Sequence, residues 1–483
     1  MIETWKYKKY FWLIIGILAL FVALYHLDTS PGFWFDEGIA SQVAKNIAFN
    51  GIYGTQTAPN IFYENNFWVT INYPVVLPAA LFLKLFGVSI WAARLTPLFY
   101  LVGLILASYF FIKKLYGFKL AVLSSLLLIT FPPLYGNGKA VLGEVPGLFW
   151  LILGSLLFLY FYDRGQRMFL FGATVSWGLS MATKPYYLLF GLSAVFIILF
   201  LWLKERSINF RTAILSGIFL SSPVLIWSFF AFDFSSLESW RATLSYFLNS
   251  YGVSSFDPLK NLFRFVSEST PTHFALLGGA VLVSWFVRWR ELLKSSPLIV
   301  GLAAFIALSF LWYLKTPGWY RYFFSIHILV ILFFPSAIFD VIGKVKGHVA
   351  DGGKTWARLG VTAVMALIVF QAGFLIIHYD DFKGQEVIEL KRYVDQNISM
   401  EDSIFVASKP EVAFILDTQN IYQYIFINKN LIIGENILGR VPVDYIITGR
   451  TNDPFIIDNK GVIDAGYNII YEAGHYRIYQ LKK

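Results

Sequence analysis

The sequence predicts a polytopic α-helical membrane protein that carries a C-terminal soluble α/β domain, and three observations lead there. Apolar residues fill 57% of the 483 positions and charged residues only 14%, against roughly 25% charged in ordinary soluble proteins. Long apolar runs recur from about residue 10 to residue 378. Past Tyr379 charges become frequent and the apolar runs shrink to strand length, the mark of a different solvent. Cysteine is absent, which excludes a disulfide frame, a thiolate nucleophile and any Cys-based metal centre. Chemistry therefore falls to carboxylates, amines, hydroxyls and imidazoles.

Taken in order, the apolar runs predict eleven spans, near 10–27, 92–112, 119–135, 145–162, 168–183, 186–203, 211–231, 274–287, 297–313, 320–339 and 358–378. The basic and then apolar N-terminus has the shape of a secretion signal. No small-residue cleavage site follows, so it is read as a retained first helix. With the N-terminus in the cytoplasm, the predicted inner loops collect 18 of the 39 basic residues, among them Lys113, Lys114, Lys119, Arg288 and Arg358, against six carboxylates. That asymmetry is the positive-inside signature. It accounts for the net charge of +9 without a nucleic-acid footprint.

The same parity decides residues 74–87, PVVLPAALFLKLFG. The segment is apolar, but it is only 14 residues long and contains two prolines and Lys84. Were it to cross, most of the later basic clusters would change sides. It is read as an interfacial helix within a long outer loop from about Asp28 to Trp91. The division expected is a membrane domain over 1–379 and an outer α/β domain over 380–483. In the latter, 384–398 has helical spacing, and 403–408, 421–427, 443–449 and 475–481 read as strands.

Ionisable residues near the outer ends of spans are the candidates for chemistry. They are Asp36 and Glu37 in GFWFDEG, Arg94 in WAARLTP, Lys139 and Glu144 in GKAVLGEVPG, Lys184 in TKPYY and Arg321 in GWYRYF. Charges at a bilayer boundary are costly unless they face a cavity or one another. Acids are suited to deprotonating or orienting an incoming hydroxyl or amine, and cations to holding a departing phosphate. Plainer readings stand beside these. Glu144 suits the first turn of a helix that has Pro146 just inside it, Arg94 and Arg321 suit interfacial snorkelling, and Asp36 and Glu37 suit a solvated loop. His327 reads as a hydrogen-bonded interior histidine rather than a metal ligand. No HExxH spacing, Walker loop or GxGxxG motif occurs. The lone Asn397-Ile398-Ser399 sequon does not identify a host.

These motifs, in this order, resemble the GT-C superfamily of polyprenol-dependent glycosyltransferases. They are similar in particular to the group of protein O-mannosyltransferases and lipid A aminoarabinose transferases. The likeness rests on Asp36-Glu37, on NYPVVLPAALFLKLFGVSIWAARLTP at 72–97, on EVP at 144–146, on TKP at 183–185 and on RYF at 321–323. It implies a sugar donor linked to a polyprenyl monophosphate, with Asp36 as the catalytic carboxylate. It further implies Arg94, Lys184 and Arg321 beside the lipid phosphate, with Lys139 where an arginine is commoner. RYF is followed by no proline until Pro335, a departure from the usual proline-rich helix.

The expected reaction moves the sugar from the lipid to an extracytoplasmic glycan, lipid or protein with inversion. Asp36 is the base, and Glu37 and Glu144 orient the acceptor or an optional divalent metal. Trp34, Trp68, Trp319 and Tyr320 offer packing faces for sugar or prenyl groups, and the loops 28–91 and 232–273 cover the site. No other cofactor is implied. The alternatives are a flippase for a lipid-linked sugar, a non-catalytic membrane scaffold, and a ligase that uses a lipid pyrophosphate.

Overall fold

The computed structural model describes residues 23–64, 72–231, 258–288, 296–346 and 353–482, apart from 418–419, 429–430, 439, 441 and 450–453, together with a few isolated positions. Most of the predicted first span, Trp68 and most of 232–257 within the loop expected over 232–273 lie outside the described residues, and the rest of that loop is helical from Pro258 onward.

An extramembrane segment comes first: helix α1 (Phe35–Asn50), the hairpin β1 (Thr55–Ala58) and β2 (Ile61–Tyr63), and helix α2 (Tyr73–Phe86). Pro74 suits the first turn of α2, where its missing N–H costs nothing. The helix has 14 residues, about 21 Å at 1.5 Å per residue, which is short of a bilayer core. Next come α3 (Ile90–Tyr116), α4 (Phe118–Thr130), the short α5 (Pro133–Gly138), α6 (Glu144–Arg164), α7 (Arg167–Thr183), α8 (Leu188–Leu199) and α9 (Phe210–Ala231). After them stand α10 (Pro258–Ser267), α11 (Ser269–Val287), α12 (Pro297–Tyr313), α13 (Phe324–Lys346) and α14 (Gly353–Ile377). Seven helices among the described residues are long and apolar enough to cross a membrane, and the chain is an integral membrane protein.

Helix α3 gives the bundle its polarity. Arg94 lies in its second turn and Lys113 and Lys114 in its last. Roughly 30 Å of helix, a hydrocarbon thickness, separates the two ends. Gly117, at φ 86°, then turns the chain sharply back into α4, a conformation that favours glycine.

The C-terminal unit contains α15 (Glu386–Asn397), β3 (Ile404–Ala407), α16 (Pro410–Ile415), β4 (Ile421–Asn428), β5 (Leu431–Ile433), β6 (Tyr445–Thr448), α17 (Pro454–Gly466), β7 (Tyr467–Ala473) and β8 (Tyr476–Leu481). Its six strands run in the order β5-β4-β3-β6-β8-β7. β3 is parallel to both its neighbours, β4 and β6, and is buried at every residue, as a central parallel strand covered on both faces should be. The four strands read from the sequence are β3, β4, β6 and β8. β5 and β7 lie at the two edges of the sheet; β5 has only three residues, too short a run to stand out, and β7 carries the polar Asn468 and Glu472.

Two cores matter for function. The larger is the apolar interior of the bundle. The second joins α1, α2, the start of α3 and residues 140–142 to α15, α16 and the sheet. The first extramembrane segment and the C-terminal domain thus fold as one body. Their seam is polar in places: Gln42 and Gln423 exchange amide hydrogen bonds of 2.8 and 3.1 Å, and Lys45 donates to the carbonyls of Phe414 at 3.1 Å and Leu416 at 2.8 Å. Burial pushes the Lys45 amine down to about 8.

Candidate active site

The two consecutive acids sit in the first turn of α1, after Trp34 in extended backbone. That turn carries the positive end of the helix dipole, which favours carboxylates. Successive helical residues point about 100° apart, so the two side chains leave α1 in different directions.

Glu37 turns inward. It is fully buried, and its carboxylate takes a two-pronged pair from Arg94, with Nε to Oε1 and Nη2 to Oε2 both 2.7 Å. The backbone N–H of Val141 adds a 3.0 Å bond to Oε1. Arg94 is equally buried, and its Nη1 donates to the Leu27 carbonyl at 2.8 Å. All three guanidinium nitrogens are therefore engaged inside the protein. Lys139 lies in the same interior, where its Nζ donates to the Tyr25 carbonyl at 2.6 Å. Burial, and then the Arg94 charge, pushes its amine down to about 7.

Asp36 turns toward the surface. Its side chain is 30% exposed and accepts a hydrogen bond at Oδ2 from Nη1 of Arg321. Arg321 stands on a 3₁₀ turn, Tyr320–Tyr322, just before α13. Its guanidinium lies 4.8 Å from the ring centre of Trp319, 5.2 Å from Trp34 and 5.3 Å from Tyr322, an aromatic cage that holds the cation by its faces. Trp34 and Trp319 are themselves 38% and 48% exposed, so the cage forms part of the protein surface. The Arg321 Nε is buried and makes no hydrogen bond.

A second pair completes the cluster. Pro185 confines the residue before it to extended backbone, and Lys184 adopts φ −151°, ψ 132° at the break between α7 and the 3₁₀ turn Pro185–Tyr187. From there its Nζ donates to Oε1 of Glu144, the first residue of α6. Oε2 of Glu144 is buried without a hydrogen-bond partner. The Tyr187 hydroxyl donates to the Glu144 carbonyl and bonds Ser325 of α13 at 2.7 Å. Lys184 also interacts electrostatically with Arg321 and Asp36, and Arg321 with Glu144. Asp36, Glu144, Lys184 and Arg321 thus form one constellation, whereas Glu37, Arg94 and Lys139 form a sealed one behind it.

Tyr320 faces away from the ion pairs. Its hydroxyl meets Nδ1 of His327 at 3.1 Å; Nε2 of His327 meets His273 at 2.9 Å, and His273 meets Gln371 at 3.2 Å. His327 is the hydrogen-bonded interior histidine that the sequence suggests. Beside this chain is a cavity of about 450 Å³, walled largely by Phe131, Pro132, Phe370, Phe374 and Phe382.

One residue near Asp36 escaped the sequence reading. Glu411, in the first turn of α16, is buried; Oε1 accepts from the Tyr476 hydroxyl at 3.0 Å, and Oε2 has no partner. A Cβ on Gly38 would collide with the Glu411 backbone, so the glycine two places after Asp36 lets the C-terminal domain approach. Burial raises the Glu411 carboxyl above its usual range, and it interacts electrostatically with Asp36. Its sequence signal was positional. It follows the C-terminal end of β3, where the chain leaves toward β4 on one side while the chain after the neighbouring parallel strand β6 leaves toward the other, the switch point at which α/β sheets place ligands.

No three His, Asp or Glu side chains converge as a metal-ligand set among the described residues. Glu37 is committed to Arg94 and Asp36 to Arg321. These acids do not form a divalent-cation cradle.

With this geometry in view, the comparisons with known proteins fall into place. Residues 75–227 match the family model of dolichyl-phosphate-mannose-protein mannosyltransferases. The structure is similar to that of ArnT from Cupriavidus metallidurans bound to undecaprenyl phosphate, at 11% identity and a TM-score of 0.61 over 97% of each chain. It is also similar to the archaeal oligosaccharyltransferase AglB from Archaeoglobus fulgidus, in complex with an inhibitory peptide and a dolichol-phosphate. There the identity is 11% and the TM-score 0.60, over 99% of this chain and 75% of that one. No curated sequence relative matches the chain. The fold is that of the GT-C superfamily.

Proposed function

We propose, from the GT-C fold as premise, that this membrane protein is a glycosyltransferase that moves a sugar from a polyprenyl monophosphate to an acceptor at the Asp36 face of the membrane, with inversion at the anomeric carbon. The observation that carries the reading is the contrast in exposure: Asp36 is partly exposed where Glu37 and Glu144 are buried, and it lies beside Arg321 and Lys184. The charge asymmetry of the loops assigns this face to the extracytoplasmic side.

In the reaction, an acceptor hydroxyl or amine attacks C1 of the sugar, and Asp36 takes its proton. The bond from C1 to the phosphate oxygen breaks, and polyprenyl phosphate departs with its charge held by Arg321 and Lys184. A phosphate needs no proton to leave. The guanidinium of Arg321, held by the faces of Trp319, Trp34 and Tyr322, is preorganised to meet phosphate oxygens beside Asp36. Glu144 sets the position of Lys184, and its free Oε2 orients the acceptor. Arg94, Lys139 and Glu37 act behind the site, fixing the first turn of α1 against α3 and residue 141. Trp34 and Trp319 pack against the sugar, and the cavity beside Tyr320 takes isoprene units of the donor.

The test is turnover. Purified protein supplied with polyprenyl monophosphate sugars should release polyprenyl phosphate, and Asp36→Asn should abolish release while retaining donor binding. Turnover that survives this substitution would overturn the reading. A flippase would move lipid without cleaving it, and a pyrophosphate-dependent ligase would leave monophosphate donors intact.

A further inference from the structure

The opposite end of the bundle carries a feature that the transfer reaction does not use. A groove of about 710 Å³ runs along the surface between α4, α13 and α14, a volume typical of small-molecule sites. Its apolar wall is formed by Leu120, Leu123, Phe339 and Val361, and its basic rim by Lys119 and Arg358. Lys119 lies in the first turn of α4, directly after the Gly117 bend, and Arg358 lies near the start of α14. Both are exposed. This is the Lys113–Lys114 end of α3, about one hydrocarbon thickness from Arg94.

The carboxylates described at this end are already taken. Asp163 pairs with Lys114, Asp340 with Arg288 at 2.7 Å, Glu291 with Arg288 at 2.9 Å, and Glu205 accepts from the Tyr162 hydroxyl at 2.9 Å. Lys119 and Arg358 have no counter-carboxylate among the described residues, and no carboxylate lines the groove. Two cations without a counter-carboxylate among the described residues, at the head of an apolar trough, are complementary to one chemistry, a phosphate on an acyl-chain body.

We propose that this groove binds an anionic phospholipid of the leaflet opposite the Asp36 site, which the loop charges make the cytoplasmic one, with its phosphate between Lys119 and Arg358 and its acyl chains along Leu120, Leu123, Phe339 and Val361. Arg358 supplies a fork for two phosphate oxygens and Lys119 a point charge. A choline headgroup would bring a third cation to the rim, so a zwitterionic lipid of the same chain length is disfavoured. Basic pockets between membrane helices bind anionic headgroups on this principle. The inference does not rest on the transferase reading, since it uses other residues at the other face.

Native mass spectrometry of the delipidated full-length protein, titrated with phosphatidylglycerol or with phosphatidylcholine of identical chains, tests it. Phosphatidylglycerol should bind at least about tenfold more tightly. The double variant Lys119→Ala/Arg358→Ala should lose about thirtyfold in that affinity, at about fivefold per basic residue near the headgroup. The exchange Lys119→Arg/Arg358→Lys should retain most of it. Equal binding of the two lipids by the unaltered protein would overturn the proposal without recourse to any variant, as would full phosphatidylglycerol affinity in the double alanine variant. Displacement of the lipid by millimolar inorganic phosphate alone would also overturn it, because the acyl chains would then contribute nothing. So would displacement by polyprenyl phosphate at equimolar concentration, which would make the groove a second donor site. Asp36→Asn should leave phosphatidylglycerol binding unchanged.

Discussion

Asp36 and Glu37 are the same chemistry one residue apart, and the structure gives them opposite lives. Glu37 is sealed, shares two parallel bonds with Arg94 and accepts a third from backbone. Asp36 is partly open and meets a single nitrogen of an arginine whose cation is also held by aromatic faces. A buried, fully satisfied ion pair is costly to break and of no use to a substrate. A partly exposed pair whose cation has spare hydrogen-bonding capacity can exchange partners as a reaction proceeds. The lesson is that the pair to watch is the incomplete one.

The comparison breaks most visibly at Asp36 itself. Asp36→Asn is expected to lower sugar transfer by about 10² to 10⁴, the usual worth of a positioned general base, with thermal stability within about 0.5 kcal/mol of the parent, as for a surface change. Turnover and thermal unfolding of the same preparation would check both halves. The converse is expected at Glu37→Ala: a loss of about 3–5 kcal/mol in stability, because Arg94 is left as an unpaired buried charge, read as a drop in folded yield and melting temperature. A folded but inactive Glu37→Ala would erase the distinction between the two acids.

Smaller changes sharpen it. Arg321→Lys keeps the charge but loses the planar fork and its stacking on Trp319 and Trp34, and should weaken donor binding by about tenfold, roughly 1.4 kcal/mol. A donor titration would measure this. The smallest effect belongs to the seam behind Asp36. The Glu411 carboxyl is raised by burial, so the folded protein keeps a proton that the unfolded chain has already released. Its contribution is complete below the ordinary carboxyl range and is lost as the pH rises through the raised value. Stability of the parent should therefore fall more steeply with rising pH than that of Glu411→Gln, as melting temperatures through and above the ordinary carboxyl range would show. Lys45 shifts the other way: its amine is pushed down to about 8 from 10.5, so its burial penalty is constant below about pH 8 and is relieved as the pH climbs toward 10.5. In Lys45→Met this alkaline gain should disappear, as melting temperatures across that range would reveal.

What the sequence determined by itself is the solvent of each segment and the order of the motifs. Apolar length, loop charge and the change in composition after Tyr379 depend on local composition alone, and they sufficed for the membrane bundle, for the 14-residue helix α2 and for β3, β4, β6 and β8. Pro185 likewise dictates the extended backbone of Lys184 from the next position in the chain. Only the tertiary structure decided which acid meets which cation. Asp36 pairs across 285 residues with Arg321 and Glu37 across 57 with Arg94, and the choice follows from a 100° turn of helix and from what packs on each side of it. Arg94, expected beside a lipid phosphate, has its guanidinium enclosed with Glu37 and the Leu27 carbonyl. Glu411 and the seam were invisible in the sequence because they exist only where α16 docks on α1, and that contact depends on Gly38 having no side chain to keep the two backbones apart.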